Sequence, residues 1–165
     1  MKVNNFFKLV IAIVVAELAG VIGSVFTISA IPTWYAGLVK PALNPPSWVF
    51  GPVWTTLYAL MGVSLFLVWK QHSNILENAR MLRMWKIGIA AFFVQLSLNA
   101  VWSLIFFGLQ NPGWALVDIV LLWLAIVWTM VVFYKISKPA AYLLVPYLLW
   151  VSFASYLNYS IWMLN

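Results

Sequence analysis

The sequence lacks cysteine altogether and holds a single histidine, His72. Without cysteine there are no disulfides, no thiolate metal ligands and no cysteine nucleophile, and one histidine cannot build a multi-histidine metal site. Charge is also scarce, because Asp, Glu, Lys and Arg make up 7% of the 165 residues, whereas a soluble domain has about 25%. We therefore expect no metal site and no bound cofactor, and a water-soluble fold of this size is excluded.

Long uncharged stretches take the place of the missing charge. They lie between Lys40 and Lys70, between Lys86 and Asp118, and from Pro139 onward, and each exceeds the roughly 20 apolar residues that cross a bilayer. We predict an all-α integral membrane protein, one domain over residues 1–165, built as a five-transmembrane-helix bundle. The predicted spans are residues 6–28, 51–69, 84–107, 113–134 and 139–161.

A proline-rich segment over residues 29–50, here called the lid loop, joins the first two predicted spans. Closely spaced prolines forbid a continuous helix and stiffen the chain, so we expect a structured loop. Its aromatic residues Trp34 and Trp48 are either part of a lid over a pocket or members of an interfacial aromatic belt. The prolines in and beside it are Pro32, Pro41, Pro45, Pro46 and Pro52.

Polar residues inside the spans are the candidates for function. Glu17 and Asp118 are carboxylates within predicted spans, which is costly unless the group is protonated, partnered or faces a wet cavity. Both are candidate site residues, without an assigned role. Gln95, Asn99 and Ser103 recur one helical turn apart in span 3, and this stripe either bonds neighbouring helices or gives a ligand its polar contacts.

Aromatic residues also recur at helical spacing. Trp54 and Tyr58 share one face of span 2, which is typical of helix packing as well as of a ligand wall. In span 5 a shared face holds bulky rings beside a small residue, which suits either a flat ligand or ordinary packing; this face comprises Tyr147, Trp150, Ala154, Leu157 and Asn158. The small residues of span 1 indicate close packing of a neighbouring helix; they are Ala16, Ala19, Gly20, Gly23 and Ser24.

The basic residues indicate topology and not nucleic-acid binding, although the net charge is +6. Lys40 alone lies on one side of the predicted bundle. By the positive-inside rule the N-terminus is cytoplasmic, and the lid loop and the C-terminus face outward. The eight residues on the other side are Lys2, Lys8, Lys70, Arg80, Arg83, Lys86, Lys135 and Lys138.

Four ordered blocks of residues resemble the signature of the translocator protein family, also called the tryptophan-rich sensory proteins or TspO/MBR. The first block covers the lid loop and the start of span 2, and the others lie in spans 3, 4 and 5. They read Trp34-Tyr35-x-x-Leu38-x-Lys40-Pro41-x-x-x-Pro45-Pro46-x-Trp48-x-Phe50-x-Pro52-Val53-Trp54-x-x-Leu57-Tyr58, Gln95-Leu96-x-Leu98-Asn99-x-x-Trp102-x-x-x-Phe106-Phe107-Gly108, Gly113-Trp114-Ala115-Leu116-Val117-Asp118 and Pro146-Tyr147-Leu148-x-Trp150-x-x-Phe153-Ala154-x-x-Leu157-Asn158-Tyr159.

The resemblance implies a five-helix bundle, commonly dimeric, with a pocket capped by the loop between helices 1 and 2. It implies porphyrin ligands such as protoporphyrin IX and, in mitochondrial members, cholesterol and benzodiazepine-like compounds. The pocket residues it implies are Trp54, Asn99, Trp102, Trp114, Trp150, Ala154 and Leu157. Trp34, Trp48, Tyr58 and Tyr147 complete the predicted ligand site.

The sterol-recognition pattern of the family is incomplete here. Leu157 and Tyr159 match it, but no Lys or Arg follows them in this sequence. Such patterns are weak in any case. We therefore do not expect cholesterol as a ligand, and a tetrapyrrole-binding protein of a bacterial plasma membrane fits the sequence better.

Three functions remain open at this point. The first is tetrapyrrole binding in a sensory, regulatory or transport role, because an aromatic cavity with few polar groups suits a flat macrocycle. The second is light- and oxygen-dependent porphyrin degradation, for which Trp54 and Trp150 are the candidate residues, since no usual nucleophile or acid-base pair is visible. The third is a membrane scaffold or partner protein, whose small-residue faces at Gly20/Gly23 and Gly88/Ala91 would pack against another subunit.

Overall fold

The computed structural model describes residues 4–165; Lys2, which belongs to the basic N-terminal group, lies outside them. The described chain is mostly helical, with five helical segments long and apolar enough to cross a membrane. The predicted all-α membrane bundle is therefore confirmed. The α-helices are α1 (Asn5–Ala30), α2 (Phe50–Lys70), α3 (Ala79–Ser103), α4 (Pro112–Ile136), α5 (Lys138–Leu143) and α6 (Val145–Leu164).

Asparagine caps three of these helices at the N-terminus. The side chains of Asn4, Asn78 and Asn111 accept hydrogen bonds from backbone N–H groups in the first turns of α1, α3 and α4. Such a cap satisfies one of the donors that a helix start leaves unpaired. Pro112 follows Asn111 at the first position of α4, where the missing N–H of proline costs no helical hydrogen bond.

The first helix runs further than the sequence predicted. It continues beyond α1 as a π-helical turn over Ile31–Tyr35 and remains helical to Gly37, so the irregular part of the lid loop is residues 38–46. Pro32 lies in the first turn of the π segment and lacks a backbone donor. The helix accommodates it with a wider turn, as π turns do at such irregularities, and does not end there. A 3-10 turn, Ser47–Val49, leads into α2.

The third helix ends in the same way, with a π turn over Leu104–Gly108. The two π turns pack on each other through their rings: Trp34 meets Phe106 edge-on at a centroid distance of 5.5 Å, and Tyr35 lies 5.7 Å from Phe107. These contacts join the ends of the first and third spans beside the lid loop.

The last span is broken into α5 and α6, with Leu144 between them and Pro146 in the first turn of α6. This break agrees with the kink expected at Pro146. Beside it, the hydroxyl of Ser64 in α2 donates to the carbonyl of Ala140 at 2.7 Å. At the same end of the bundle the indole N–H of Trp85 donates to the carbonyl of Val68 at 2.9 Å.

Small residues bring the helices together inside the molecule. A Cβ added at Gly62 of α2 would stand 2.5 Å from the Cα of Ile13 in α1, and one at Gly20 would stand 2.5 Å from the Tyr58 ring. Gly23 faces Ser103, and Gly88 faces Val132 and Phe133 of α4. Packing at Gly20 and Gly23 is thus as predicted, but these faces and Gly88 serve the bundle itself. These three glycines are thus occupied by contacts within the bundle, whereas Ala91 of the Gly88/Ala91 face lies in a groove on the outside of α3 and α4.

Candidate functional site

A cavity of about 530 Å³ lies in the half of the bundle next to the lid loop. Its walls come from α1, α2, α3 and α6, from both π turns and from the 3-10 turn before α2. The volume is within the range of about 300–1,000 Å³ that is usual for small-molecule sites. No residue of α4 or α5 lines it among those described.

Indole rings form three of its walls. Trp54 of α2 stacks on Tyr58 at a centroid distance of 5.5 Å and 29°, and Trp102 of α3 stacks on Phe106 at 4.9 Å and 22°. Trp150 of α6 stands edge-on to Phe50 at 6.2 Å. Each ring is therefore held by a second aromatic ring, and the cavity is preorganised for a flat apolar ligand.

Hydrogen bonds fix the wall formed by α3 and α6. The indole N–H of Trp102 donates to Oδ1 of Asn158 at 2.9 Å, and Nδ2 of Asn158 donates to the carbonyl of Pro112 at 2.7 Å. Asn158 is buried and lines the cavity. Because both of its polar atoms are occupied, it orients Trp102 and ties α6 to the start of α4.

A second asparagine joins three helices behind the cavity. Oδ1 of Asn99 accepts a hydrogen bond from the hydroxyl of Tyr58, and its Nδ2 donates to the hydroxyl of Tyr147 at 3.0 Å. Asn99 is 3% exposed and is not among the lining residues. Of the two roles left open for this position, interhelical bonding is the one observed, and Asn99 reaches the cavity only through Tyr58.

Two further buried polar side chains, those of Gln95 in α3 and Asp118 in α4, lie away from the cavity. Both amide atoms of Gln95 and Oδ2 of Asp118 find no hydrogen-bond partner within residues 4–165. Gln95 is 1% exposed and Asp118 is 6% exposed. Neither lines the cavity, so Asp118, a candidate site residue from the sequence, is buried in the bundle away from this cavity.

Glu17 is the one charged side chain among the described residues that line the cavity. It stands one helical turn before Gly20, whose Cα faces the Tyr58 ring, and therefore marks the end of the cavity farthest from the lid loop. The hydroxyls of Ser24 and Thr27 also lie on this wall, but they bond to carbonyls of their own helix at 2.7 and 2.9 Å. The carboxyl of Glu17 is thus the strongest polar feature of a mainly apolar lining.

Seven of the eleven predicted ligand-site residues line this one cavity. They are Trp48, Trp54, Tyr58, Trp102, Trp150, Ala154 and Leu157. The helical spacing that singled out faces of α2 and α6 therefore brought together residues that do face one space. Their contact with a ligand stays a prediction.

The other four predicted residues lie elsewhere. Asn99 and Tyr147 are buried behind the wall, and Trp34 packs on Phe106. Trp114 is 67% exposed on the outside of α4, because its neighbour Ala115 is the residue that faces the core. Adjacent helical positions point about 100° apart, so Trp114 cannot line this cavity.

Sequence reasoning singled out Glu17 as a candidate site residue but missed the rest of the wall formed by the first helix. Its lining residues include Glu17, Gly20, Ser24 and Thr27, which recur three or four positions apart, the spacing of one helical face. That spacing was readable, but the small residues suggested packing alone. The lining rings Phe106 and Phe107 carried no such signal, because they lie in a π turn whose wider pitch does not follow the 3.6-residue period.

The lid loop is tied down beside the cavity. The Tyr35 hydroxyl donates to Oδ1 of Asn44 at 2.7 Å, and the Asn165 side chain bonds both the N–H and the carbonyl of Val39, at 2.9 and 3.0 Å. The Lys40 ammonium bonds the carbonyls of Ala36 and Leu38 and lies 4.8 Å from the centre of the Tyr35 ring. Residues 38–46 contribute nothing to the described lining; of the predicted lid, only its two ends reach the cavity.

Comparison with known proteins gives a consistent result. The profile of the TspO/MBR family matches residues 11–163. The chain is 46% identical to the tryptophan-rich protein TspO of Archaeoglobus fulgidus, over 98% of this chain and 99% of that protein. It is 49% identical to the tryptophan-rich protein TspO of Chlorobaculum tepidum over 88% of each chain, and 46% identical to the translocator protein of Homo sapiens over 78% of this chain and 73% of that one.

Proposed function

Since the chain belongs to the TspO/MBR family, we propose that it binds a porphyrin or related tetrapyrrole in the cavity beside the lid loop. Family membership, with relatives named translocator and tryptophan-rich sensory protein, supports a membrane role in sensing or transport. The main support for the tetrapyrrole proposal is that three indoles, those of Trp54, Trp102 and Trp150, line one cavity of about 530 Å³. A flat conjugated macrocycle has the faces on which such rings stack.

Charge sets the orientation of such a ligand. Glu17 stands at the end of the cavity away from the lid loop, and its carboxylate, when ionised, repels another negative charge in the cavity. Acidic substituents of a tetrapyrrole are therefore expected to point toward the lid loop. Lys40 is not poised to receive them, because its ammonium is engaged by backbone carbonyls and by the Tyr35 ring.

Alanine substitution of the cavity indoles tests the proposal. We expect Trp54→Ala and Trp150→Ala each to weaken protoporphyrin IX binding about tenfold, because each loses ring stacking and buried apolar contact. The measurement is a titration of purified protein followed by quenching of tryptophan fluorescence. Trp114→Ala is the matched control, since it removes an exposed indole that does not line the cavity. Unchanged affinity in both cavity variants would remove this site.

A second function, light- and oxygen-dependent porphyrin degradation, is favoured by one observation: Trp54 and Trp150, the two candidate redox residues, line the same cavity. A ligand held there would contact oxidisable indoles. Loss of porphyrin absorbance under illumination in air distinguishes turnover from binding. If the loss continues at the same rate in the Trp54→Phe plus Trp150→Phe double variant, the protein is a passive host for photobleaching.

Two further proposals concern assembly and location. We propose a homodimer in a bacterial plasma membrane, joined along a shallow apolar groove on the outside of α3 and α4. Among the described residues, the groove has no charged or polar lining residue, so it suits packing against another apolar helix surface, such as that of an identical chain. Crosslinking in native membranes tests it: a band at twice the mass of the chain supports the homodimer, and a band of another mass favours a scaffold role. The groove is lined by Ile87, Ala90, Ala91, Val94, Leu124, Ala125, Val127, Trp128 and Val131.

A further inference from the structure

The cavity has one exposed edge. Its lining residues from α3, from α6 and from both π turns are buried or half-buried. Val21 and Ile28 of α1, in contrast, are 59% and 71% exposed, and Gly51 and Thr55 of α2 are exposed as well. The remaining exposed lining residues lie just before α2, at Ser47 and Trp48. The cavity is therefore open between α1 and α2.

This edge lies at the level of the hydrocarbon core. The ammonium of Lys8 in α1 stands 5.9 Å from the centre of the Trp69 ring in α2, which fixes the two helices to the same height at their basic ends. Val21 is thirteen residues beyond Lys8 and Thr55 is fourteen before Trp69, so both stand about 20 Å above that level at 1.5 Å per residue. A hydrocarbon core is about 30 Å thick, so both residues face acyl chains and not water.

The opening is closed on the side of the basic end. There, α1 and α2 touch so closely that an added Cβ at Gly20 would stand 2.5 Å from the Tyr58 ring, and one at Gly62 would stand 2.5 Å from the Cα of Ile13. These contacts confine the opening to the half of the bilayer next to the lid loop. A bulky ligand cannot pass farther along the seam without separating the helices.

The chemistry of the rim matches its surroundings. Val21 and Ile28 present aliphatic side chains, Gly51 presents none, and the hydroxyl of Thr56 beside Thr55 is bonded to the carbonyl of Pro52 at 2.8 Å. None of the exposed described residues on this edge is charged. The alternative route, through the lid loop, is held shut by the bonds of Asn165 to Val39 and of Tyr35 to Asn44.

We propose that the ligand enters and leaves the cavity sideways, from the hydrocarbon phase of the bilayer, through the opening between α1 and α2. Val21 and Thr55 form its two edges, and the ligand class is a membrane-dissolved amphiphile with a flat apolar body. The inference rests on the proposed binding function, but it concerns the route and not the affinity. A measurement of affinity therefore tests the proposed binding function, and a measurement of entry and exit rates tests the proposed route.

Blocking the opening tests the route. Because the chain has no cysteine, a bulky maleimide can be attached at the single thiol of Thr55→Cys in protein reconstituted into phosphatidylcholine vesicles. Association and dissociation of protoporphyrin IX are followed by stopped-flow tryptophan quenching. Both rates are expected to fall by about tenfold or more, because the label raises the barrier for passage in both directions. The matched control is Thr56→Cys with the same label, because Thr56 is exposed on the same helix and does not line the cavity.

A second variant, Gly51→Leu, tests the same opening without a chemical label. A Cβ at Gly51 would meet nothing within 4 Å, so the side chain of Gly51→Leu starts in open space and adds bulk at the opening. It should slow both association and dissociation of protoporphyrin IX. Unchanged rates in labelled Thr55→Cys and in Gly51→Leu, together with faster rates in Asn165→Ala, would overturn the sideways route in favour of the lid loop.

The source of the ligand is tested separately by varying the lipid. Vesicles whose lipids partition the porphyrin differently are compared at one fixed mole fraction of porphyrin in the bilayer, so that only its free aqueous concentration changes, and association should keep the same rate. A rate that follows the free aqueous porphyrin instead would overturn entry from the lipid. Absence of binding to the unmodified protein would contradict the proposed function itself.

Discussion

At the scale of single residues, Gly62 determines how closely α1 and α2 approach. An added Cβ there would stand 2.5 Å from the Cα of Ile13, which is a backbone atom and cannot rotate away. The two helices must move apart to admit it. Since the same pair of helices closes one end of the opening beside the cavity, this glycine contributes both to packing and to the shape of the site.

Alanine at this position is therefore expected to destabilise the bundle. Gly62→Ala should lower the free energy of unfolding by about 1–3 kcal/mol, the usual cost of overpacking a well-filled core, despite the better helix propensity of alanine. Thermal unfolding in detergent, followed by tryptophan fluorescence, measures the change. Gly37→Ala is the control because a Cβ there meets nothing within 4 Å; equal stability of the two variants would contradict the packing argument.

The sequence identified some of the residues that line the cavity and missed others, and the difference has a physical reason. Trp54, Tyr58, Trp150, Ala154 and Leu157 follow the 3.6-residue period of regular helices, and all line the cavity. Periodicity assigns a residue to a face of a helix, but it does not say what that face meets. The sequence therefore could not tell that Trp114 is turned outward while the small residues of α1 form a wall.

At the scale of elements, the lid loop is held by a few side-chain bonds. Its irregular part is only residues 38–46, and Asn165 pairs with both backbone polar groups of Val39, at 2.9 and 3.0 Å. The same amide also donates to the carbonyl of Ile161 at 2.8 Å, so it is fixed to α6. The loop is thus fastened to the last helix across the mouth of the bundle.

Removing this side chain should loosen the loop without unfolding the protein. In Asn165→Ala the Val39 amide loses its acceptor, and with a net value of about 0.5–1.5 kcal/mol per hydrogen bond we expect its hydrogen exchange to accelerate about tenfold. Exchange within α2 should stay unchanged. Asn74→Ala serves as the control, since it removes an exposed asparagine that bonds only Gln71 in the connection between α2 and α3. Equal exchange at Val39 in wild type and Asn165→Ala would show that other contacts hold the loop.

The elements themselves were predictable to different degrees. Long apolar stretches predicted five membrane helices because burial in lipid requires every backbone group to be bonded within a helix. The end of the first span was not predictable, since proline normally ends a helix and nothing in the sequence indicates that Pro32 is taken up in a π turn. The predicted lid loop was consequently too long.

At the scale of the whole molecule, positive charge is concentrated at one end. Among the described residues, Lys40 lies beside the lid loop and the other basic residues lie at the opposite end of the bundle; these are Lys8, Lys70, Arg80, Arg83, Lys86, Lys135 and Lys138. Such asymmetry orients membrane proteins with the basic end in the cytoplasm. The cavity half of the bundle would then face outward.

Thiol labelling in intact cells tests this orientation. Leu43→Cys in the lid loop should react with a membrane-impermeant maleimide, whereas Ser73→Cys between α2 and α3 should react only after the cells are opened. Both positions are exposed and the chain offers no other thiol, so the unmodified protein is the blank. The reverse pattern would place the lid loop in the cytoplasm.

Because two π turns meet beside the cavity, the number of residues in each turn determines which rings line the site. Each of these turns, Ile31–Tyr35 and Leu104–Gly108, takes up one residue more than an α-helical turn does. Deleting a single residue from the first would let the helix continue at ordinary pitch and rotate its remaining residues by about 100°, carrying Tyr35 off the lining. Relatives or designed variants that differ by one residue at either place will therefore present different rings to the ligand, even where every aromatic residue is retained.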